Sequence, residues 1–340
     1  MPHQPLGVDW AGAGNFGEAV AQTTPRDLDE SLDRIFLFHL PLLFSWREQL
    51  RASDPGRVTL SKEAPEEIRR RFAEVVSGDD DRVDLAQAAL LIAAEEYPRI
   101  DTSIYLEKLD RIADLAREQA VGAQTSLDFI SAINTVLFDE LRFRGNIDNY
   151  YDPRNSYLNE VIDRRMGIPI TLAVVYMEVA RRIGFPVEGV GLPGHFITRH
   201  SDENGEVFID VFNRGRLLGE VGCADLLASL SRGKMALRPE HLLPTTRKQI
   251  LTRMLSNILG IYSGTTDYHR ALAAIERILL INPDSLSHIR DHGLLLAAAG
   301  KTTTALDELE RYLTLAPAAP DAEAIREQMK SIRQDQAKLN

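Results

Sequence analysis

The chain has 340 residues, 44% of them apolar, and a formal net charge of −11 at pH 7, which predicts two or three domains with ordinary hydrophobic cores. The acidic balance argues against nucleic-acid partners, and the apolar runs are too short to span a membrane. The single cysteine, Cys223, excludes an internal disulfide framework and is typical of a reducing compartment, so we expect a cytoplasmic protein.

The N-terminal third divides into a tail and a helical region. Residues 1–27 have few periodic apolar positions and are predicted to be a mobile tail. Residues 28–125 carry helical patterns, and the clearest helix lies between Asp84, which can cap its start, and Pro98, which ends it. A helical N-terminal region is therefore expected.

The pattern changes within residues 126–242. A polar, aromatic loop over 146–155 precedes a short helix, which we expect Gly167 to close. Pro169 suits the first turn of the next helix, because no amide donor is needed there. That helix continues to about Ile183 and is apolar on most sides. We therefore predict a central helix that is covered on both sides.

Short β-rich runs follow the apolar helix. They are residues 187–191, 195–199, 207–210 and 216–218. A turn signal at 202–205 separates two of them and predicts an antiparallel sheet. A core helix followed by an antiparallel sheet indicates the α+β class.

The last segment, residues 243–340, repeats itself. Ala271 recurs as Ala305 and Pro283 as Pro317, each pair 34 residues apart. This period, with small residues inside each unit and a terminal Pro, is typical of α-helical tetratricopeptide repeats.

The two repeats need support from the rest of the chain. Gly293 occupies the small-residue position where the helices of the second unit should approach closely. Two units are fewer than such repeats need for independent stability, so we expect them to dock onto the core, with a helix over 321–339 as a cap.

His195 and Asp210 are the candidate chemical pair. His195 follows a Pro193–Gly194 turn, and Asp210 stands on a strand between two apolar residues, where a carboxylate requires a partner. A helix followed by a His and then an Asp is the order of a Cys-His-Asp hydrolase, in which the Asp orients the His. The alternative is a buried pair with a purely structural role.

A metal site is the weaker alternative. His195, His200 and Asp210 supply three candidate ligands, but two His five residues apart on a strand face opposite sides. We therefore predict neither a metal nor a cofactor.

Several segments carry a family resemblance. They are residues 93–98, 143–146, 151–153, 155–159, 164–173, 191–196 and 209–213. As a set they resemble the SirB-type family of bacterial proteins, in which a transglutaminase-like core precedes tetratricopeptide repeats. The resemblance implies a papain-like arrangement of Cys, His and Asp, and it assigns the last two roles to His195 and Asp210.

The nucleophile of that arrangement has no match. Its position falls at or near Pro169, which has no nucleophilic group. Thr171 is a candidate catalytic hydroxyl in the first turn of the helix, although a Thr there commonly bonds the backbone. Cys223 comes after the Asp strand, which is out of order for the nucleophile and typical of a small buried residue.

Polar residues concentrate just before the apolar helix and after Asp210. The candidate binding residues are Asn146, Tyr151, Asp152, Asn155, Ser156, Asn159, Arg165 and Asn213. Arg165 is expected to pair with Asp152 or Asp210, and Asn213 to hold the adjacent turn. The alternative role for Asn and Asp in loops is to stabilise turns and caps.

Three functions remain open from the sequence. The first is a non-catalytic protein with a regulatory role that binds a peptide or protein partner through the core cleft or the repeats. The second is a hydrolase, amidase or acyl transferase of atypical chemistry that uses His195 and Asp210. The third is a scaffold in which this pair only holds the fold.

Overall fold

A computed structural model describes residues 64–339 of the chain. The tail predicted for residues 1–27, and the helical region as far as residue 63, lie outside the described residues. The helices are α1 Pro65–Val76, α2 Leu85–Glu96, α3 Thr102–Gln119, α4 Ser126–Asn134, α5 Leu158–Arg164, α6 Pro169–Arg182, α7 Glu220–Leu230, α8 Arg247–Gly264, α9 Tyr268–Ile281, α10 Leu286–Ala298, α11 Thr302–Leu315 and α12 Ala322–Leu339. None of the helices within this range is long and apolar enough to cross a membrane.

Helix α2 shows how the N-terminal helices form. The Asp84 carboxylate accepts a hydrogen bond from the amide of Gln87 at 2.9 Å and caps the helix as predicted. Leu90, Leu91 and Ile92 are fully buried, because α2 packs against α1, α3, α5, α6 and α8.

Helix α6 is the central element of the core. Pro169 is its first residue, and each residue from there to Ala180 is buried, which confirms the prediction of a covered helix. Gly184 ends the helix at φ +78°, and the amide of Phe185 donates to the carbonyl of Ala180 at 2.9 Å.

A five-stranded antiparallel sheet lies beside α6. Its strands are β3 Glu188–Val190, β4 Ile197–Asp202, β5 Gly205–Asp210, β6 Arg216–Leu218 and β7 Pro244–Thr245, in the order β6-β5-β4-β3-β7. The antiparallel sheet is confirmed, but β7 was not predicted, because two residues that include a Pro carry no alternating pattern. His195 lies in the turn before β4 rather than on the strand.

A second, two-stranded parallel sheet joins β1 Arg144–Gly145 to β2 Met166–Gly167. The prediction that Gly167 closes α5 is wrong, because that helix ends at Arg164 and Arg165 takes the left-handed conformation at φ 56°. Gly167 is needed for space instead. A Cβ there would stand 2.7 Å from the Thr171 hydroxyl.

The C-terminal helices pair as α8 with α9 and α10 with α11, followed by α12. Ala271 and Ala305 are fully buried at equivalent positions. A Cβ on Gly293 would stand 2.7 Å from Cδ2 of Leu309, which agrees with the close approach expected of α10 and α11.

Helices α8 and α9 pack onto the rest of the molecule, α8 against α2 and α6 and α9 against α1. Arg277, which is 3% exposed, donates to the carbonyl of Ile92 on α2 at 2.9 Å. It also lies 3.4 Å from Glu95, which pairs with Arg69 of α1 at 2.6 Å. A single hydrophobic cluster continues from α1 through α6 into the repeats.

Candidate functional site

His195 and Asp210 meet where the turn before β4 faces the end of β5. The His195 amide donates to the carbonyl of Leu192 at 3.1 Å, and Gly194 takes φ +73°, the conformation that a type II turn requires at its third residue. His195 Nε2 lies 3.0 Å from Asp210 Oδ1, and the two residues are 6% and 1% exposed. The sequence-predicted pair is therefore in hydrogen-bond contact.

Asn213 completes the surroundings of the Asp210 carboxylate. Its side-chain amide donates to Oδ2 at 2.7 Å, and its backbone amide lies 3.4 Å from Oδ1. Burial by itself raises the pKa of Asp210, but the hydrogen bond and charge of His195, with the two bonds from Asn213, hold the pKa below its ordinary value. Asp210 is thus an ionised acceptor at neutral pH.

The Nδ1 atom of His195 is the imidazole nitrogen that remains available for proton transfer. Within the described part of the chain, no hydrogen bond reaches His195 Nδ1. With Nε2 on the carboxylate, Nδ1 is the atom that would receive or deliver a proton.

Arg253, on α8, fixes the backbone of the His195 turn. One guanidinium nitrogen donates to the carbonyl of His195 at 2.6 Å and to that of Leu192 at 3.0 Å. Burial lowers the pKa of Arg253 to about 10. Sequence reasoning missed this residue, since nothing in the local pattern of an amphipathic helix distinguishes an arginine that reaches 58 residues back along the chain.

Phe212 connects the pair to the rest of the core. Its ring lies edge-on to the His195 ring at 6.0 Å between centroids, and the Tyr150 ring lies 6.2 Å away on an edge. A Cβ on Gly145 would overlap the Phe212 ring, so Gly145 provides the space that the ring occupies.

The first turn of α6 offers no nucleophile near this pair. Pro169 stands at its first position, and the buried Thr171 hydroxyl donates to the carbonyl of Asn155 at 2.7 Å. The same oxygen accepts from the amide of Ile168 at 3.2 Å. This geometry favours the backbone-bonding interpretation of Thr171 over the catalytic one.

Cys223 is buried near the same carboxylate. Burial raises the pKa of its thiol to about 11, and the negative charges of Asp210 and Glu220 add to the effect. A thiol with this pKa is protonated at neutral pH, and it is the thiolate that attacks.

Asn146 and Asn155 organise the loop before α5. Asn146 Nδ2 donates to Asn155 Oδ1 at 3.0 Å, and Asn155 Nδ2 donates to the carbonyls of Asn149 and Tyr150 at 2.7 and 3.1 Å. Both side chains are buried. Their bonds hold the loop itself.

Asp152 pairs with a different arginine from the one expected. Arg154 contacts it at 2.7 Å and Arg164 at 3.5 Å. The expectation that Arg165 pairs with Asp152 or Asp210 is wrong, because the left-handed backbone at Arg165 turns the chain out of the helix and its guanidinium donates to the carbonyl of Leu141 at 3.2 Å.

The other candidate binding residues lie around the start of α5. Ser156 Oγ and Asn159 Oδ1 are buried, and no group within residues 64–339 forms a hydrogen bond with either atom. Tyr151 is half-buried and lies edge-on to Tyr150 at 5.4 Å between ring centroids.

His200 does not join His195. Its Nδ1 lies 2.7 Å from the carbonyl of Pro186, and its Nε2 lies 3.0 Å from the Ser126 hydroxyl. Over residues 64–339, no three His, Cys, Asp or Glu side chains form a group that could hold a metal ion.

Comparisons with known proteins agree with this architecture. The model of the transglutaminase-like superfamily matches residues 104–256, and a tetratricopeptide repeat model matches residues 258–330. A UPF0162 protein of Xylella fastidiosa is 37% identical over 255 residues, which cover 73% of this chain and 89% of that protein. A UPF0162 protein of Vibrio cholerae is 24% identical over 259 residues, which cover 76% and 95%.

A eukaryotic protein matches a shorter part of the chain. F-box only protein 21 of Mus musculus is 34% identical over 140 residues, which cover 39% of this chain and 21% of that protein. No solved structure matches the chain.

Proposed function

The chain belongs to the UPF0162, or SirB-type, family and joins a transglutaminase-like core to tetratricopeptide repeats; from this premise we propose that it is a non-catalytic protein that binds a peptide or protein partner in a regulatory role. Tetratricopeptide repeats generally mediate contacts between proteins. The core would contribute a cleft beside His195 and Asp210 that holds a peptide segment without cleaving it.

The observation that carries the proposal is the first turn of α6. A thiolate at a helix N-terminus needs a Cys side chain there, and Pro169 supplies none. The Thr171 hydroxyl in the same turn is occupied by the backbone, and the Cys223 thiol has a raised pKa. A His with no activated nucleophile beside it supports binding better than covalent catalysis.

The test is a panel of ester, amide and glutamine-containing peptide substrates, assayed with the whole chain and with His195→Ala. We expect no turnover above that of buffer for either protein. Hydrolysis or acyl transfer that is present in the parent and absent in His195→Ala would overturn the proposal.

A second candidate is a hydrolase, amidase or acyl transferase in which His195 activates water. The geometry that favours it is the 3.0 Å contact between Nε2 and Asp210, together with the unbonded Nδ1 atom. Turnover of an ester or amide that falls at least a hundredfold in both His195→Ala and Asp210→Ala would support this function; no turnover in the parent would exclude it for the substrates tested.

A further inference from the structure

A cavity of about 510 Å³ lies next to the site. Two aromatic and four charged residues line it: Phe138, Asp139, Arg142, Phe143, Arg144 and Arg214. Its volume is that of a small-molecule pocket, which typically measures about 300–1,000 Å³.

The charge around this cavity is opposite to that of the whole chain. Three of its lining residues are arginines and one is an aspartate, whereas the chain carries a net charge of −11. Arg214 pairs with Asp139 at 2.6 Å. Arg142 and Arg144 are exposed and have no ion pair or hydrogen bond from their side chains among the described residues. The cavity therefore presents two guanidinium groups without a carboxylate partner.

The lining also has an apolar part. Phe138 and Phe143 belong to the lining, although only 4% and 2% of their surface is exposed. Guanidinium groups bind carboxylate or phosphate oxygens in a bidentate manner, while aromatic rings favour an apolar or ring-containing body. Together they fit an organic anion better than a simple inorganic ion.

The backbone at the cavity is unusual. Arg142 and Arg214 adopt left-handed conformations at φ 61° and φ 57°, where glycine would be favoured. Two of the three arginines are thus placed on the cavity in a conformation that glycine would adopt at lower cost.

The cavity and the His–Asp pair share a chain segment. Arg214 directly follows Asn213, which bonds Asp210, and Arg144 precedes Gly145, over which the Phe212 ring lies. An anion held by these arginines would therefore contact the segment that supports Asp210.

We propose that the cavity between Arg142, Arg144 and Arg214 binds a small organic anion that carries a phosphate or carboxylate group on an apolar or aromatic body. This site goes beyond the proposed partner binding and does not depend on it.

The test is isothermal titration calorimetry of the whole chain at low ionic strength, because salt screens exposed charges. The probes are phenyl phosphate, phenylacetate and inorganic phosphate. Arg142→Gly and Arg144→Gln each remove one guanidinium group. Arg142→Gly should retain the fold, because glycine adopts the left-handed conformation at position 142 without strain. Arg326→Gln, on α12, removes an exposed arginine that pairs with Glu323 and is the matched control.

We expect phenyl phosphate or phenylacetate to bind at least tenfold more tightly than inorganic phosphate, with a Kd at least tenfold higher in Arg142→Gly and Arg144→Gln and unchanged in Arg326→Gln. The proposal fails if neither aromatic anion binds. It also fails if inorganic phosphate binds equally well, or if the two cavity variants bind like the parent while their thermal unfolding is unaltered.

Discussion

The Asp210 carboxylate is an ionised group that is almost completely buried, at 1% exposure. A buried charge is tolerated only where hydrogen bonds replace water. Around Asp210, one contact with His195 and two hydrogen bonds from Asn213 take the place of water. Asp210 therefore contributes to stability whether or not the site is catalytic.

Asp210→Asn is expected to reduce the free energy of unfolding by about 2 kcal/mol at pH 7, because bonds to a charged acceptor become bonds to a neutral one. Chemical denaturation followed by circular dichroism measures the change. Asp225→Asn, an exposed position on α7, is the matched control and should have no measurable effect.

The effect of Asp210→Asn should depend on pH. The pKa of Asp210 is lowered in the folded protein, so its contribution is complete above the unfolded value of about 3.9 and is lost as pH falls through the folded value. The difference between parent and variant should shrink below about pH 4. A difference that stays constant down to pH 2 would show that the charge of Asp210 is not its cause.

Pro169 gives the second prediction at this scale. Pro169→Cys places a thiol at the first position of α6, where the helix dipole favours the thiolate. We expect slow hydrolysis of an activated ester, at least tenfold faster than with the parent, and loss of that rate in Pro169→Cys combined with His195→Ala. The same ester assay with Pro169→Ser controls for a change in the turn alone. If Pro169→Cys folds normally but hydrolyses the ester no faster than the parent, the His195 imidazole does not act on a thiol at this position.

Elements with local signals could be predicted from the sequence. Asp84, Pro169 and Gly184 mark helix ends by hydrogen-bonding and backbone rules that act within a few residues. The two-residue strand β7 and the left-handed Arg165 could not be predicted, because their conformations depend on partners distant in the chain: Val190 for Pro244, and Leu141 for Arg165.

Two helical glycines in the repeats provide a matched prediction. In Gly293→Ala the new Cβ would stand 2.7 Å from Leu309 Cδ2 and 3.3 Å from the Leu309 amide nitrogen, so we expect a loss of about 2 kcal/mol through overpacking. In Gly260→Ala nothing lies within 4 Å of the new Cβ, so we expect a gain of about 0.5–1 kcal/mol.

The free energies of unfolding of both glycine variants, measured side by side in urea, test this pair. Equal effects would contradict the close approach of α10 and α11. The same result would weaken the assignment of Gly293 to the small-residue position of the repeat.

At the scale of the whole molecule, the repeats and the N-terminal helices share a buried polar contact. Arg277 lies between Ile92 and Glu95 of α2, and Glu95 also bonds Arg69 of α1. Because the same hydrophobic cluster runs through these helices, we expect the described part of the chain to unfold in one cooperative transition.

Arg277→Leu tests this cooperation. It removes the donor to the Ile92 carbonyl and leaves Glu95 with one arginine, at an expected cost of about 3 kcal/mol. Thermal unfolding should separate into two transitions, and amides of α9 to α12 should exchange faster than those of α2. Arg333→Leu, at an exposed arginine of α12, is the control. A single transition displaced to lower temperature would mean that the repeats stay docked by apolar packing alone.

The site itself could be predicted only in part. His195 and Asp210 were predicted from their order in the chain, since a turn and an apolar strand position both have local signatures. Arg253 was not, because its role depends on where α8 packs against the sheet. Sequence patterns report the environment of a residue within its own element and carry little information about which distant carbonyl a long side chain reaches.

Arg253 joins α8, the helix that pairs with α9, directly to the carbonyl of His195. A displacement of α8 by a bound partner would displace the imidazole as well, without any intervening chain of contacts. Coupling between two binding sites is reciprocal. A partner bound at α8 that changes the affinity of the core for a peptide would have its own affinity changed by the same factor when the peptide binds. Under the proposed function, the position of α8 would therefore depend on whether the core holds a peptide.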